Sequence, residues 1–281
     1  MLGKLVRYDF KRQWKLLGVV YAIASIMGIG VAILRLLADY TDILVLRYLT
    51  TFGTGFCCVV AVVIIVGTWI YALLYFRSNL LKDEGYLMHT LPAEPEQLYF
   101  SKLINFMVYV VLSIIVAYLC IGMAFGDIGI YGKIISESIA ELPETGVKIW
   151  LWSAAYVVEM GIATMILHLG CLIIGYTWRS ASTINRDLVS VVIYVILHFV
   201  IQIASVALLL LYLLVKYGNF VSQIIDLDQT MDQAASGAAF ETEFYSYFSG
   251  LLGVSAVTYL IVGVIMLLIS LKRFRLKLDL Q

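Results

Sequence analysis

Charge is what this sequence has least of. Only 14% of its 281 residues are Asp, Glu, Lys or Arg and 62% are hydrophobic, where soluble domains carry about 25% charged residues. A water-soluble globule is thereby excluded, and the chain reads as an integral membrane protein. Nineteen Lys and Arg balance nineteen Asp and Glu, so no net positive field exists to attract nucleic acid. Histidine is confined to three positions and cysteine to four, with no C-x-x-C and no Cys/His spacing suited to zinc. Cys57, Cys58, Cys120 and Cys171 all lie in apolar runs and read as small apolar fillers. On a helix Cys57 and Cys58 would point about 100° apart, which does not suit a mutual bridge. A phosphate-cradling loop is missing too: Gly3-Lys4 is followed by Leu5 and Gly132-Lys133 by Ile134, so the chain is not expected to bind ATP itself. No H-E-x-x-H, G-x-S-x-G or paired-acid arrangement occurs, so neither an enzyme nor a resident metal or cofactor is expected.

Long apolar runs fill the space that charge leaves. Six are of spanning length: Gly18–Leu37, and runs within Thr51–Phe76, Leu103–Phe125, Ile149–Tyr176, Leu188–Val215 and Gly250–Leu271. The first is longer than the 7–15-residue apolar core of a signal peptide and reads as an uncleaved span. Ahead of it, Leu2, Leu5, Val6, Phe10, Trp14 and Leu17 fall on one helical face and Lys4, Arg7, Lys11 and Lys15 on the other. This pattern predicts an interfacial helix over 1–17, beside anionic lipid. The expected fold is all-α and polytopic, a single six-helix domain behind that N-terminal amphipathic helix. Fourteen Lys and Arg fall on the side of the termini and five on the other, which places both termini in the cytoplasm. The outer loop 216–249 carries five acids and two apolar helical faces (Phe220, Val221, Ile224, Ile225, then Phe240, Phe244, Tyr247, Phe248). These suggest helices resting in, or re-entering, the outer interface.

Polar residues inside the spans are few enough to weigh singly. Glu159 is the one acid deep in a span, at a cost of about 2.5–3.5 kcal/mol if ionised at a helix centre. Eleven Leu, Ile and Val in Ile149–Tyr176 offset this at roughly 0.3–0.6 kcal/mol each, so Glu159 is expected to face protein or water rather than lipid. It shares a face with Trp152 and Tyr156, while His168, nine residues on, is turned about 180° away. Tyr194, His198 and Gln202 recur at intervals of four. They would line a path, pair with Glu159, or hold the bundle together by hydrogen bonds.

The segment between the second and third spans stands apart from all of this. Among Lys82, Asp83, Glu84, Glu94 and Glu96 it carries Tyr86, Leu87, Leu91 and Leu98, residues that a solvated loop has no use for unless they dock. The second span is expected to run on past Phe76, with Gly85 interrupting it. Tyr86, Leu87, Met88 and Leu91 would follow as a short apolar segment stopped by Pro92. Pro95 suits the first turn of the next helix, with Glu94 and Glu96 at its positive end.

These residues carry a resemblance. Asp83-Glu84-Gly85-Tyr86-Leu87-Met88-His89-Thr90-Leu91-Pro92, with Glu96-Gln97-Leu98 and Ser101-Lys102-Leu103 after it, resembles type-2 permease subunits of ATP-binding-cassette transporters, those of Gram-positive bacteria above all. Met1-Leu2-Gly3-Lys4-Leu5 and Tyr8-Asp9-Phe10-Lys11 are similar to that group's opening. Glu94 departs from the Ser or Thr common there. The specific likeness covers about twenty-five residues. It implies an exporter-class permease that pairs with a second permease subunit and takes its energy from a separate ATPase. Glu84, Gly85, Tyr86, Leu87, Met88, Leu91 and Pro92 would dock that ATPase. A proton-coupled carrier using Glu159, His168 and His198, and a membrane scaffold or sensor subunit of a resistance system, are the competing readings.

Overall fold

The computed structural model describes residues 1–41, 43–81, 94–126, 129, 133, 136, 144–177, 185–216 and 237–278. Six helices in it are long and apolar enough to cross a membrane, and no strand occurs among the described residues. The chain is an all-α, multi-pass membrane protein. The helices are α1 (Leu2–Thr41), α2 (Leu44–Phe76), α3 (Pro95–Phe125), α4 (Glu144–Thr177), α5 (Arg186–Lys216) and α6 (Gly237–Leu278). They fall into two compact units, residues 1–138 with α1–α3 and residues 139–280 with α4–α6.

In the first unit α1 corrects one expectation. No break separates an interfacial segment at 1–17 from the first span: Leu2–Thr41 is one helix of 40 residues. At 1.5 Å per residue it is about 60 Å long, twice the ~30 Å of a hydrocarbon core. The reason lies in its inward face, which does not change direction at Gly18. Asp9, Gln13, Leu17, Tyr21, Ala24, Gly28 and Val31 are all buried, a stripe at steps of three and four that spans the junction. No proline interrupts it, and the Trp14 ring packs over Gly18. Lys4, Arg7, Lys11 and Lys15 do form the exposed opposite face.

α2 also outruns its apolar stretch, continuing past Phe76 as a π-helical turn over Arg77–Leu81. α3 opens as expected, with Pro95 in its first turn and Glu94 in extended backbone before it. Glu94 makes no side-chain cap to the helix; instead its carboxylate accepts a 3.5 Å bond from Gln97 Nε2. At the far end Gly126 stops α3 with φ 76° and its N–H on Met123 O, a left-handed position that glycine fills without strain.

The three helices close around Leu17, Tyr21, Ala24, Ile64 and Tyr109, with Val31, Cys57, Cys120 and Ala124 as a second cluster. Tyr21 crosses this core, its hydroxyl 3.0 Å from Thr68 Oγ1 and 3.3 Å from Tyr109 O. Its interior is thus partly hydrogen-bonded, which is what remains to hold helices together when lipid is as apolar as leucine.

The second unit packs α4, α5 and α6 around Leu167, Cys171, Ile174, Ile201 and Met266. All four cysteines are free, and only Cys58 is not fully buried, in keeping with their role as filler. α6 begins at Gly237 and runs 42 residues without interruption, so residues 237–249 are helix continuous with the last span. Residues 217–236 lie outside the described residues.

Candidate functional site

The segment singled out by the sequence, Glu84 to Pro92, lies outside the described residues. What the structure does describe is the pair of helix ends that hold it, and they are built around a buried ion pair. Asp9 of α1 and Lys102 of α3 meet with relative exposures of 1% and 4%. Tyr75 donates to Asp9 Oδ1 at 2.9 Å, and the Ser101 hydroxyl lies 3.3 Å from Asp9 Oδ2 and 2.9 Å from Leu98 O. The ammonium of Lys102 also reaches Asn79 Oδ1 at 3.5 Å and sits 4.9 Å from the Tyr75 ring centroid. Arg12 lies 5.7 Å from the same ring.

Helix spacing explains why these groups converge. Asp9 and Gln13 are one turn apart on the buried stripe of α1. On α3, Ser101, Lys102 and Asn105 cover adjacent positions on the face turned to α1. Asn105 Nδ2 donates across to Val6 O at 3.2 Å, and Tyr109 OH to Phe10 O at 2.6 Å. Phe10 stacks on Tyr109 with centroids 5.1 Å apart. Asn79 enters from the π-helical turn. Three elements are therefore pinned at one point: the N-terminal helix and both stems of segment 82–93.

A pair taken this far out of water loses several kcal/mol of hydration per ion, and is tolerable only when further hydrogen bonds hold both charges. Asp9 has them. The surroundings are not fully closed, however: Gln13 Oε1, Asn79 Nδ2 and Asn105 Oδ1 are buried without a partner. In the sequence Lys102 reads as one of fourteen basic residues on the side of the termini, and both Lys102 and Asp9 as parts of short motifs, with nothing to pair them. The available signal is a polar pair, Asp9 and Gln13, at the four-residue spacing that continues into Leu17 and Tyr21.

The intramembrane candidates separate into two places in the second unit. His168, Tyr194 and His198 form a stack, with centroids 4.2 Å apart for His168–Tyr194 and 5.8 Å for Tyr194–His198. His168 Nδ1 lies 2.7 Å from Thr164 O; since a carbonyl only accepts, that nitrogen carries the proton. The partner of the Tyr194 stripe is therefore His168 and not Glu159. Gln202, the next residue of the stripe, is exposed. Glu159 stands one turn from Tyr156, whose ring packs edge-on to Tyr259 at 6.4 Å, and its Oε1 is buried with no hydrogen-bond partner. Trp152, expected on the same face, is 68% exposed. Among the described residues no group of three or more His, Cys, Asp or Glu is placed to hold a metal ion.

The state of Glu159 yields a direct expectation. A carboxylate with one oxygen buried and unpartnered gains nothing from its charge, so Glu159→Gln should insert, assemble and melt in detergent at or slightly above the native temperature. A drop in stability beyond about 1 kcal/mol, on the scale of a lost buried hydrogen bond, would mean that a partner holds the charge after all.

Architecture and site together define a six-helix membrane protein with a charge-locked helix junction at the base of its second interhelical segment. No family model, curated protein or solved structure matches the chain.

Proposed function

We propose that the chain is the membrane-spanning permease subunit of an ATP-binding-cassette exporter of the plasma membrane, with both termini cytoplasmic. The observation that carries the reading is segment 82–93. It is polar in composition yet bears Tyr86, Leu87, Met88 and Leu91, and it is strung between two long helical stems. Leu44–Leu81 alone is 38 residues, about 57 Å, so its end stands clear of the ~30 Å hydrocarbon core. Apolar side chains held there on firm stems suit a knob seated in a separate ATPase. Force applied to the knob reaches two spans at once.

A second permease subunit fits the same reading. The apolar window of α5 is only 6% buried, and the exposed side chains on that helix include Gln202. An amide facing hydrocarbon is unfavourable, and a neighbouring subunit would give it a partner. The exposed row of Lys4, Arg7, Lys11 and Lys15 suits anionic lipid headgroups at the cytoplasmic surface. The converging groups a proton carrier requires are divided, since Glu159 stands apart from the His168–Tyr194–His198 stack.

Leu87→Asp tests the proposal. Burying a leucine in a partner's cleft stabilises by roughly 1.5–3 kcal/mol, and each 1.4 kcal/mol is tenfold in affinity. At least a tenfold loss of ATPase co-purification is expected, with loss of ATP-driven transport into vesicles and normal insertion of the chain. Full retention of the ATPase by Leu87→Asp and by Tyr86→Asp would remove the docking assignment and favour a scaffold.

A further inference from the structure

We propose that the end of the first unit opposite the Asp9–Lys102 pair binds the headgroup of a zwitterionic phospholipid, its phosphate on Arg35 and its primary ammonium on Asp39. The site is a cavity of about 490 Å³ near the ends of α1 and α3. That volume falls within the roughly 300–1,000 Å³ of small-molecule sites, which are apolar enclosures holding a few convergent polar groups. Ala32, Leu36, Met123 and Phe125 supply the apolar wall, and Arg35 and Asp39 the charges.

Arg35 is laid against α3 rather than left to swing. A Cβ on Gly126 would stand 3.1 Å from Arg35 Cδ and 3.4 Å from its Nη1. The glycine that ends α3 thereby also makes room for the arginine stem. Asp39 stands one turn further along α1, at the spacing where helical side chains meet. The two do not pair, and among the described residues neither makes a hydrogen bond or an ion pair. Base before acid along a helix is the less favourable order for such a pair. A cavity presenting a cation and a carboxylate in this condition suits a ligand that carries both complementary charges. An anion alone would leave Asp39 unmatched, and a cation alone would leave Arg35. The guanidinium fork matches phosphate oxygens bidentately, and a primary ammonium brings three N–H donors to a carboxylate.

Depth selects lipid as the source. At 1.5 Å per residue about 39 Å of continuous helix separates Arg35 from Asp9. With Asp9 at one interface, Arg35 therefore reaches the other across the ~30 Å hydrocarbon core. Leu36, on the cavity wall, is 70% exposed, and Ile29 is exposed two turns back on the same face. Acyl chains would lie along this face while the headgroup enters the cavity.

The chain, purified in mild detergent and stripped of lipid, is offered equimolar phosphatidylethanolamine, phosphatidylglycerol and phosphatidylcholine with identical acyl chains. Native mass spectrometry reads which lipid is retained first. Phosphatidylethanolamine should exceed each of the others at least threefold, since phosphatidylglycerol has no ammonium and the quaternary ammonium of phosphatidylcholine has no N–H. Asp39→Asn should erase that preference, and Arg35→Gln should lower retention of all three lipids at least threefold. Should Arg35→Gln fail to fold, the native chain and Asp39→Asn decide alone. Equal retention of the three lipids by the native chain overturns the site, as does a preference that Asp39→Asn leaves intact. An arginine that only snorkels toward passing headgroups gives the first of these results. Glycerophosphoethanolamine, the same headgroup without acyl chains, decides the source and should compete only at about a hundredfold excess or more. Competition at equal concentration would replace the lipid by a soluble phosphate ester and overturn the assignment.

Discussion

Asp9→Ala is expected to destabilise the folded chain by about 3–5 kcal/mol, the range for removing one partner of a buried ion pair. The size follows from what is left behind. Lys102, 4% exposed, would lose the carboxylate that meets its ammonium in a nearly dry site. Tyr75 OH and Ser101 Oγ would lose the carboxylate they approach at 2.9 and 3.3 Å. Thermal unfolding in detergent measures the loss, with Lys15→Ala as control. Lys15 is exposed on the same helix, and its removal should stay within about 0.5 kcal/mol. Equal behaviour of the two variants would show that α1 is not held to α3 by charge.

Gly175→Val is expected to separate α4 from α5. A Cβ at Gly175 would collide with Ser190 Oγ and lie 2.9 Å from Ser190 Cα. The second contact matters more, because backbone cannot swing aside as a hydroxyl can. Ser190 Oγ is itself engaged with Arg186 O at 3.0 Å. Overpacking in a closed core typically costs 1–3 kcal/mol, and a backbone collision places this case at about 3 kcal/mol or above. Disulfide trapping reads it: a Cys pair at Ile174 and Ile193, both in the cluster around Cys171, should cross-link less readily in the Gly175→Val variant than in its parent. Unchanged cross-linking and unchanged melting would mean that the helices do not approach here.

What the sequence made legible, and what it did not, divides along physical lines. Hydropathy located all six helices because burial in lipid is decided residue by residue, without reference to fold. Hydropathy alone ends them short, but the extensions are legible from other signals: the amphipathic spacing of residues 1–17, the run past Phe76 without a proline or glycine, and Pro95 at a helix start. The amphipathic reading of residues 1–17 identified the lysine face correctly. It placed Leu2, Leu5, Val6, Phe10, Trp14 and Leu17 on the other face and gave no place to Asp9 and Gln13, whose burial makes sense only once Lys102 and Asn105 are known to stand opposite. The separation of Glu159 from His168 followed from 100° per residue along one helix. The stacking of His168 on Tyr194 did not, since it depends on how two helices face each other.

The distance in sequence between Asp9 and Lys102 sets a schedule for biosynthesis. The partners are 93 residues apart, and at ~5–20 residues per second the ribosome needs roughly 5–20 s to reach the second after making the first. Throughout that interval α1 exists with an acid on its inward stripe and no cation to meet it, so its first turns are best solvated at the membrane surface. They can draw in against α2 only when Ser101, Lys102 and Asn105 emerge. The first unit therefore closes at a defined point in translation, on arrival of the third helix, and the chain has an interval in which its N-terminal segment is an amphipathic surface helix after all.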